Sequence, residues 1–175
     1  MRSCRPFAPV PSALRSAHWR AEIAAELQRR GIAHAETIAA LADGSLGRAE
    51  TLAAEGLSLR DDALSFLTIL ETLRIEDIWK HAEQLGGRSY DERAAWLGYL
   101  QMALRDLLVL RENAAAELYH VDRRAELTEL LPAMPRQRVL LLMEEAGALL
   151  RRFGANVNPA LQAEAFFLRA RQVMG

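Results

Sequence analysis

Cysteine occurs once in this 175-residue chain, at Cys4, and lysine once, at Lys80. One cysteine excludes an internal disulfide and a cysteine-rich zinc site, and it fits a reducing compartment, so a cytoplasmic protein is expected. The only lysine sits in the run Trp79-Lys80-His81. That excludes the phosphate-cradling loop ending in Gly-Lys-Ser/Thr, and with it an ATP site made by this chain alone. No apolar run approaches the roughly 20 residues that cross a bilayer. Pro6, Pro9 and Pro11 break up the N-terminal apolar stretch, which does not read as a signal peptide. A net charge of −1 gives no global field toward nucleic acid or membrane, and aromatic residues make up only 6% of the chain. Direct reading of nucleic acid by base stacking is therefore not expected.

β-Branched residues are also scarce, whereas alanine, leucine, glutamate and arginine dominate. That composition predicts an all-α fold. The segment 1–11 has three prolines and no periodicity, so it reads as extended. A first helix follows over about Ser12–Arg30, with Leu14, Trp19, Ile23, Ala24 and Leu27 on one side and Gly31 as its stop. The second and third, about Ala35–Ala42 and Leu46–Glu55, meet at Asp43-Gly44-Ser45. There Gly44 supplies a positive φ and Ser45 caps the next helix.

Beyond Gly56, Ser58 and Asp61 loosely resemble a capping box. The apolar rhythm through Leu59–Leu73 then slips to a second set, Ile75, Ile78, Trp79, Ala82 and Leu85, which predicts a break near Arg74–Glu76. Gly86-Gly87 reads as a stop. Ser89 and Glu92 form a stronger capping box that opens the longest helix, about Tyr90–Glu112. Its apolar surface is wide enough to place it centrally, with Trp96, Leu100 and Leu107 buried. A helical turn is expected near Leu118-Tyr119, then helices over about Arg124–Leu131, Arg136–Phe153 and Pro159–Val173, the last with Leu161, Ala165, Phe166 and Leu168 as its apolar set. Gly154 stops the second of these, and Asn158-Pro159 caps the last.

Candidate chemistry is thin. His18, His34, His81 and His120 are scattered, none at the i, i+4 spacing that offers two imidazoles to one ion, and each reads as a surface or helix-end residue. Neither a metal nor a cofactor is expected. Cys4 has no neighbouring base. Asp61-Asp62 and Glu144-Glu145 read as solvated or dipole-complementing carboxylates, and Arg29-Arg30, Arg123-Arg124 and Arg151-Arg152 as cations at helix ends. Arg105-Asp106 interrupts the most apolar helix. It reads either as an exposed strip or as an arginine bonding carbonyl or carboxylate groups within the bundle, the second being favoured. No set supplies a nucleophile, a base and an electrophilic site together, so an enzyme is not expected.

Several motifs carry a resemblance. Gly44-Ser45-Leu46-Gly47-Arg48-Ala49, after an Ala-x-Leu-Ala run, resembles the lid motif of bacterial clamp-loader subunits of DNA polymerase III. Phe7-Ala8-Pro9-Val10 is similar to the Phe-x-Pro-Leu segment leaving that family's ATPase core, although Arg2-Ser3-Cys4-Arg5 lacks the arginine the family carries between serine and cysteine. Leu104-Arg105-Asp106-Leu107-Leu108 is similar to the family's Leu-Arg-Asp-Leu-Leu, and Leu118-Tyr119-His120-Val121-Asp122 to its Leu-Tyr-Asn-x-Asp. Asn156-Val157-Asn158-Pro159-Ala160-Leu161 resembles the opening of its last collar helix.

The resemblance implies an ATPase-exit remnant over 1–11, a three-helix lid over 12–56 and a helical collar over 57–175, without the ATPase core. Gly47 stands where ATP-binding subunits carry an arginine and Arg48 comes one later, which fits the non-hydrolysing delta-prime pattern. Arg48 is the one nucleotide-proximal candidate, although the reading as a solvated surface arginine is favoured. The implied role is a non-catalytic subunit in DNA replication, partnered by gamma/tau and delta subunits through its collar and meeting DNA only through the complex. Such a collar should leave apolar surface exposed and self-associate weakly. The alternative is an unrelated all-helical scaffold or adaptor that binds a protein partner.

Overall fold

A computed structural model describes residues 12–153 and 157–175, with side chains from residue 18 onward. The chain is all-helical, with no strand among the described residues. The segment 1–11, the side chain of Leu14, Gly154 and Asn156 lie outside the described residues. Two compact units are present, Met1–Glu55 and Gly56–Gly175.

The first unit contains α1 (Ser12–Arg29), α2 (Ala35–Ala42) and α3 (Leu46–Glu55), with α2 packed against both others. Gly31, at φ 71°, closes α1, while the Ile32 amide donates to the Leu27 carbonyl at 3.0 Å. This left-handed residue followed by a bond back across the last turn absorbs carbonyls that the helix leaves open. Ile23 and Leu27 of α1, Ile38 and Leu41 of α2, and Ala49 and Leu52 of α3 are buried. Trp19, expected on the inward stripe, is half exposed and lies beside Gly44.

The second unit contains α4 (Ser58–Ile69), α5 (Ile75–Gly86), α6 (Tyr90–Glu112), a 3₁₀ turn (Val121–Arg123), α7 (Arg124–Leu130), α8 (Arg136–Arg152) and α9 (Pro159–Met174). The central helix is α6, packed on α4, α7 and α8, with Trp96, Leu100 and Leu107 buried. Its capping box is complete: the Glu92 amide donates to Ser89 Oγ at 3.2 Å, and the Ser89 amide donates to Glu92 Oε2 at 2.8 Å. Phe66 of α4, Trp96 of α6, and Phe166 and Phe167 of α9 form one aromatic cluster, with ring centroids 5.0–6.5 Å apart.

Three local expectations are corrected, and the Gly86-Gly87 stop holds. Ser58 caps nothing; it is the first residue of α4 after Leu57, and the Asp61 carboxylate instead accepts bonds from Arg60 and Arg123. Gly86-Gly87 does end α5, but neither residue takes a positive φ. Gly86 serves packing: a Cβ there would lie 2.5 Å from the Ala160 Cα, so α5 and α9 cross almost backbone to backbone. No helical turn forms at Leu118-Tyr119, for a reason given below. Leu161 and Leu168, placed on the apolar side of α9, are exposed, and the buried face is built from Ala163, Phe166, Phe167 and Ala170.

Candidate functional site

The corner between α2 and α3 has two successive left-handed residues, Asp43 at φ 49° and Gly44 at φ 86°. Glycine adopts this region freely, whereas aspartate does so only at a cost. Asp43 is held there in part by Arg20, whose Nη2 donates to Oδ1 at 3.3 Å. Ser45 then opens α3, its Oγ accepting from the Arg48 amide at 3.3 Å. Ala49 is fully buried, so the small residue at that place is a packing requirement. Gly47 is exposed, and a Cβ added to it would meet nothing within 4 Å. Arg48 is exposed as well, on the solvent side of the corner.

In the second unit, residues widely spaced in sequence come together around the connection from α6 to α7. Asp106 projects inward from α6 and is fully buried, as is His120. One carboxylate oxygen accepts from the Tyr119 amide at 3.1 Å, and the other from the His120 amide at 2.9 Å and from His120 Nδ1 at 3.0 Å. Arg105 donates to Asp106 Oδ1 at 3.1 Å and to the Glu117 carbonyl at 2.9 Å, with its guanidinium 5.1 Å from the Tyr119 ring centre. Arg124 donates to the carbonyls of Ala114 and Ala116.

From α4, the buried Arg60 donates to both oxygens of Asp122, at 2.7 and 2.9 Å, and to Asp61 at 2.6 Å. The connection is irregular because its backbone donors are engaged by a side chain: amides claimed by Asp106 are not offered to helical carbonyls. That is why Leu118-Tyr119 is not a helical turn and regular structure resumes only at Val121.

Burial alone would push the Asp106 carboxyl up, but the His120 ring and the amides of His120 and Tyr119 donate to it and hold it below the ordinary carboxylate value. An ionised Asp106 makes Nδ1 the proton-bearing nitrogen of His120, leaving Nε2 buried without a hydrogen-bond partner among the described residues. An aspartate orienting a histidine is familiar from catalytic triads, where Nε2 faces a nucleophile. Here both side chains are sealed from solvent, so the chemistry this arrangement performs is the clamping of a backbone segment.

Apart from Cys4 and Asn156, which lie outside the described residues, the residues singled out from sequence each have a place. Arg105, Asp106, Tyr119 and Asp122 meet in this one clasp. Asn158 caps α9, its Oδ1 accepting from the Ala160 amide at 2.9 Å, with Pro159 as the first helical residue. Gly44, Ser45, Gly47, Arg48 and Ala49 form the corner. His120, expected at the surface, lies at the centre of the clasp, and nothing in its own neighbourhood of sequence signals that. His18 and His34 are exposed, and His81 is half-buried, its ring 6.2 Å from that of Phe167.

Arg123-Arg124, expected at a helix end whose dipole they complement, stand at the start of α7, where a cation gains nothing from it. Arg123 is used instead for Asp61 and Glu126. Arg60 and Arg93 are buried charges that went unread, although Arg60 is in phase with Ala63, Leu64 and Leu67, and Arg93 with Trp96, Leu97 and Leu100. Arg93 donates to the carbonyls of Gly86 and Arg88 and lies over the Phe153 ring. No group of histidine, cysteine or carboxylate residues suited to a metal ion is found among the described residues. No helix among them is long and apolar enough to cross a membrane. Set against protein-family models, curated proteins and solved structures, the chain matches none of them.

Proposed function

We propose that this chain is the lid and collar portion of a bacterial clamp-loader subunit of the delta-prime pattern, a non-catalytic part that works by assembling with other subunits in DNA replication. The observation that supports the reading most is the clasp. Two short motifs chosen for resemblance alone, Leu104–Leu108 and Leu118–Asp122, supply its parts: Arg105, Asp106, Tyr119 and Asp122. Motifs matched by chance have no reason to be structural partners. In this reading the clasp stiffens one end of the collar, the partners are the gamma/tau and delta subunits, and DNA is reached only through the complex.

The test is capture of purified gamma/tau subunit from the same organism by the folded, full chain. Binding is expected, and binding should be lost or weakened in Asp106→Ala, which loosens the clasp. Failure of the folded chain to capture that subunit would overturn the reading and leave a generic helical adaptor. Equilibrium dialysis against ATP should show no tight binding, because the chain offers no phosphate-cradling loop.

A further inference from the structure

On α4, Asp62, Ser65 and Phe66 fall at helical steps on one face, and on α5 His81 and Leu85 do the same. The two faces border a small hollow beside the aromatic cluster, which Trp96 of α6 and Phe167 of α9 also line. Its room is that of a few non-hydrogen atoms. Apolar walls with a few convergent polar groups are the usual make-up of a ligand site.

The polar groups of this hollow are not used up by the fold. Trp96 is only 3% exposed, yet its indole N–H has no acceptor among the described residues. The half-buried His81 ring has no hydrogen-bond partner among them either. A donor on a buried side chain costs free energy while it lacks an acceptor, so an oxygen entering the hollow is favoured. The α4 side supplies acceptors instead. Ser65 Oγ donates its proton to the Asp61 carbonyl at 2.8 Å, which leaves only its lone pairs. Arg88 Nη2 donates to Asp62 Oδ2 at 2.6 Å, which leaves Oδ1 open.

These groups ask for a ligand that accepts at one end and donates at the other. A carboxylate would satisfy Trp96 but meet the charge of Asp62. An ammonium or guanidinium would satisfy Asp62 but meet Arg88 and leave the indole N–H unmatched. We infer that the hollow is a binding site for a primary carboxamide, whose planar head is of the right size. Its oxygen accepts from Trp96, its NH₂ donates to Asp62 Oδ1 and Ser65 Oγ, and His81 closes the rim. The inference does not rest on the clamp-loader reading, since it follows from the hollow alone.

The experiment is a titration of the full-length chain with propionamide, followed through the indole N–H signals of its three tryptophans by nuclear magnetic resonance. The expected result is a saturable shift of the Trp96 signal alone, in the millimolar range fitting so small a ligand. Trp96→Phe identifies that signal, and binding followed through backbone amides around His81 should weaken about tenfold or more in it. Propionate should not bind the parent chain. Asp62→Asn, at a half-exposed position that leaves folding intact, removes the repelling charge and frees Arg88, so propionate should then bind at least as well as propionamide. This reversal decides the matter even if Trp96→Phe fails to fold. A non-saturating drift of all three indole signals, equal binding of propionate and propionamide by the parent chain, or an unchanged preference in Asp62→Asn would each overturn the proposal.

Discussion

The corner at Asp43-Gly44-Ser45 and the connection at 113–123 both turn the chain between helices, and they do so by opposite means. The corner is local. Its φ angles belong to Asp43 and Gly44, and its cap spans three residues, from Ser45 to Arg48. The connection is held from outside. Asp106 lies 13 and 14 residues from the amides it binds, and Arg60 lies 62 residues from Asp122. Local corners set an angle cheaply and tolerate change. A connection held by buried charged groups depends on every partner, because removing one leaves the others buried and unsatisfied.

The largest effect should therefore come from the clasp. Asp106→Ala leaves two backbone amides and an imidazole N–H without an acceptor in a sealed site, and should cost about 3–5 kcal/mol in denaturant unfolding. Hydrogen exchange at Tyr119 and His120 should rise with it. If those amides stay protected, the clasp is not what orders the connection. Next in size is the crossing of α5 and α9. Gly86→Ala pushes a methyl group to 2.5 Å from the Ala160 Cα, and backbone cannot step aside as a flexible side chain would. A loss of about 2–3 kcal/mol is expected, and a neutral result would show that the helices separate at little cost.

Acidity should distinguish the two regions as well. Asp106 is held below its ordinary value in the folded state, so its contribution is present above the unfolded carboxylate value of about 4 and is lost as pH falls below it. Unfolding midpoints compared at neutral and acid pH should converge for the parent chain and Asp106→Asn as the pH drops. Parallel curves would remove Asp106 from the acid response. The corner should show the smallest effect: Ser45→Ala removes one cap bond, costing about 1 kcal/mol.

What could be read in the sequence follows the same division. Gly31, the Ser89/Glu92 box and Asn158-Pro159 declare helix ends because a few neighbouring residues determine each. The wide apolar surface of α6 likewise placed that helix at the centre. At the clasp, Arg105-Asp106 was legible as a bundle-facing polar pair, and Asp106 is in phase with Tyr99, Ala103 and Leu110, which turns it inward. His120 was not legible, since its burial is decided by a carboxylate on another element. Gly86 was read as a helix stop because glycine usually is one, and only the arrival of α9 reveals that its missing side chain is the point. Periodicity puts Trp79 and Leu168 in apolar sets, but it reports that a face is apolar and not that anything in the same chain covers it.

Because α5 is closed by α9, its fate during synthesis is governed by distance along the message. Gly86 leaves the ribosome some 70 residues before Ala160, roughly 4–14 seconds earlier at about 5–20 residues per second. During that interval α4, α5 and α6 exist without Phe166 and Phe167, which complete the aromatic cluster around Phe66 and Trp96. The clasp, by contrast, joins Asp106 to residues made almost immediately after it. Nascent chains of this protein should thus acquire an ordered α6–α7 turn early and remain open to chaperones along α5 until the last helix emerges.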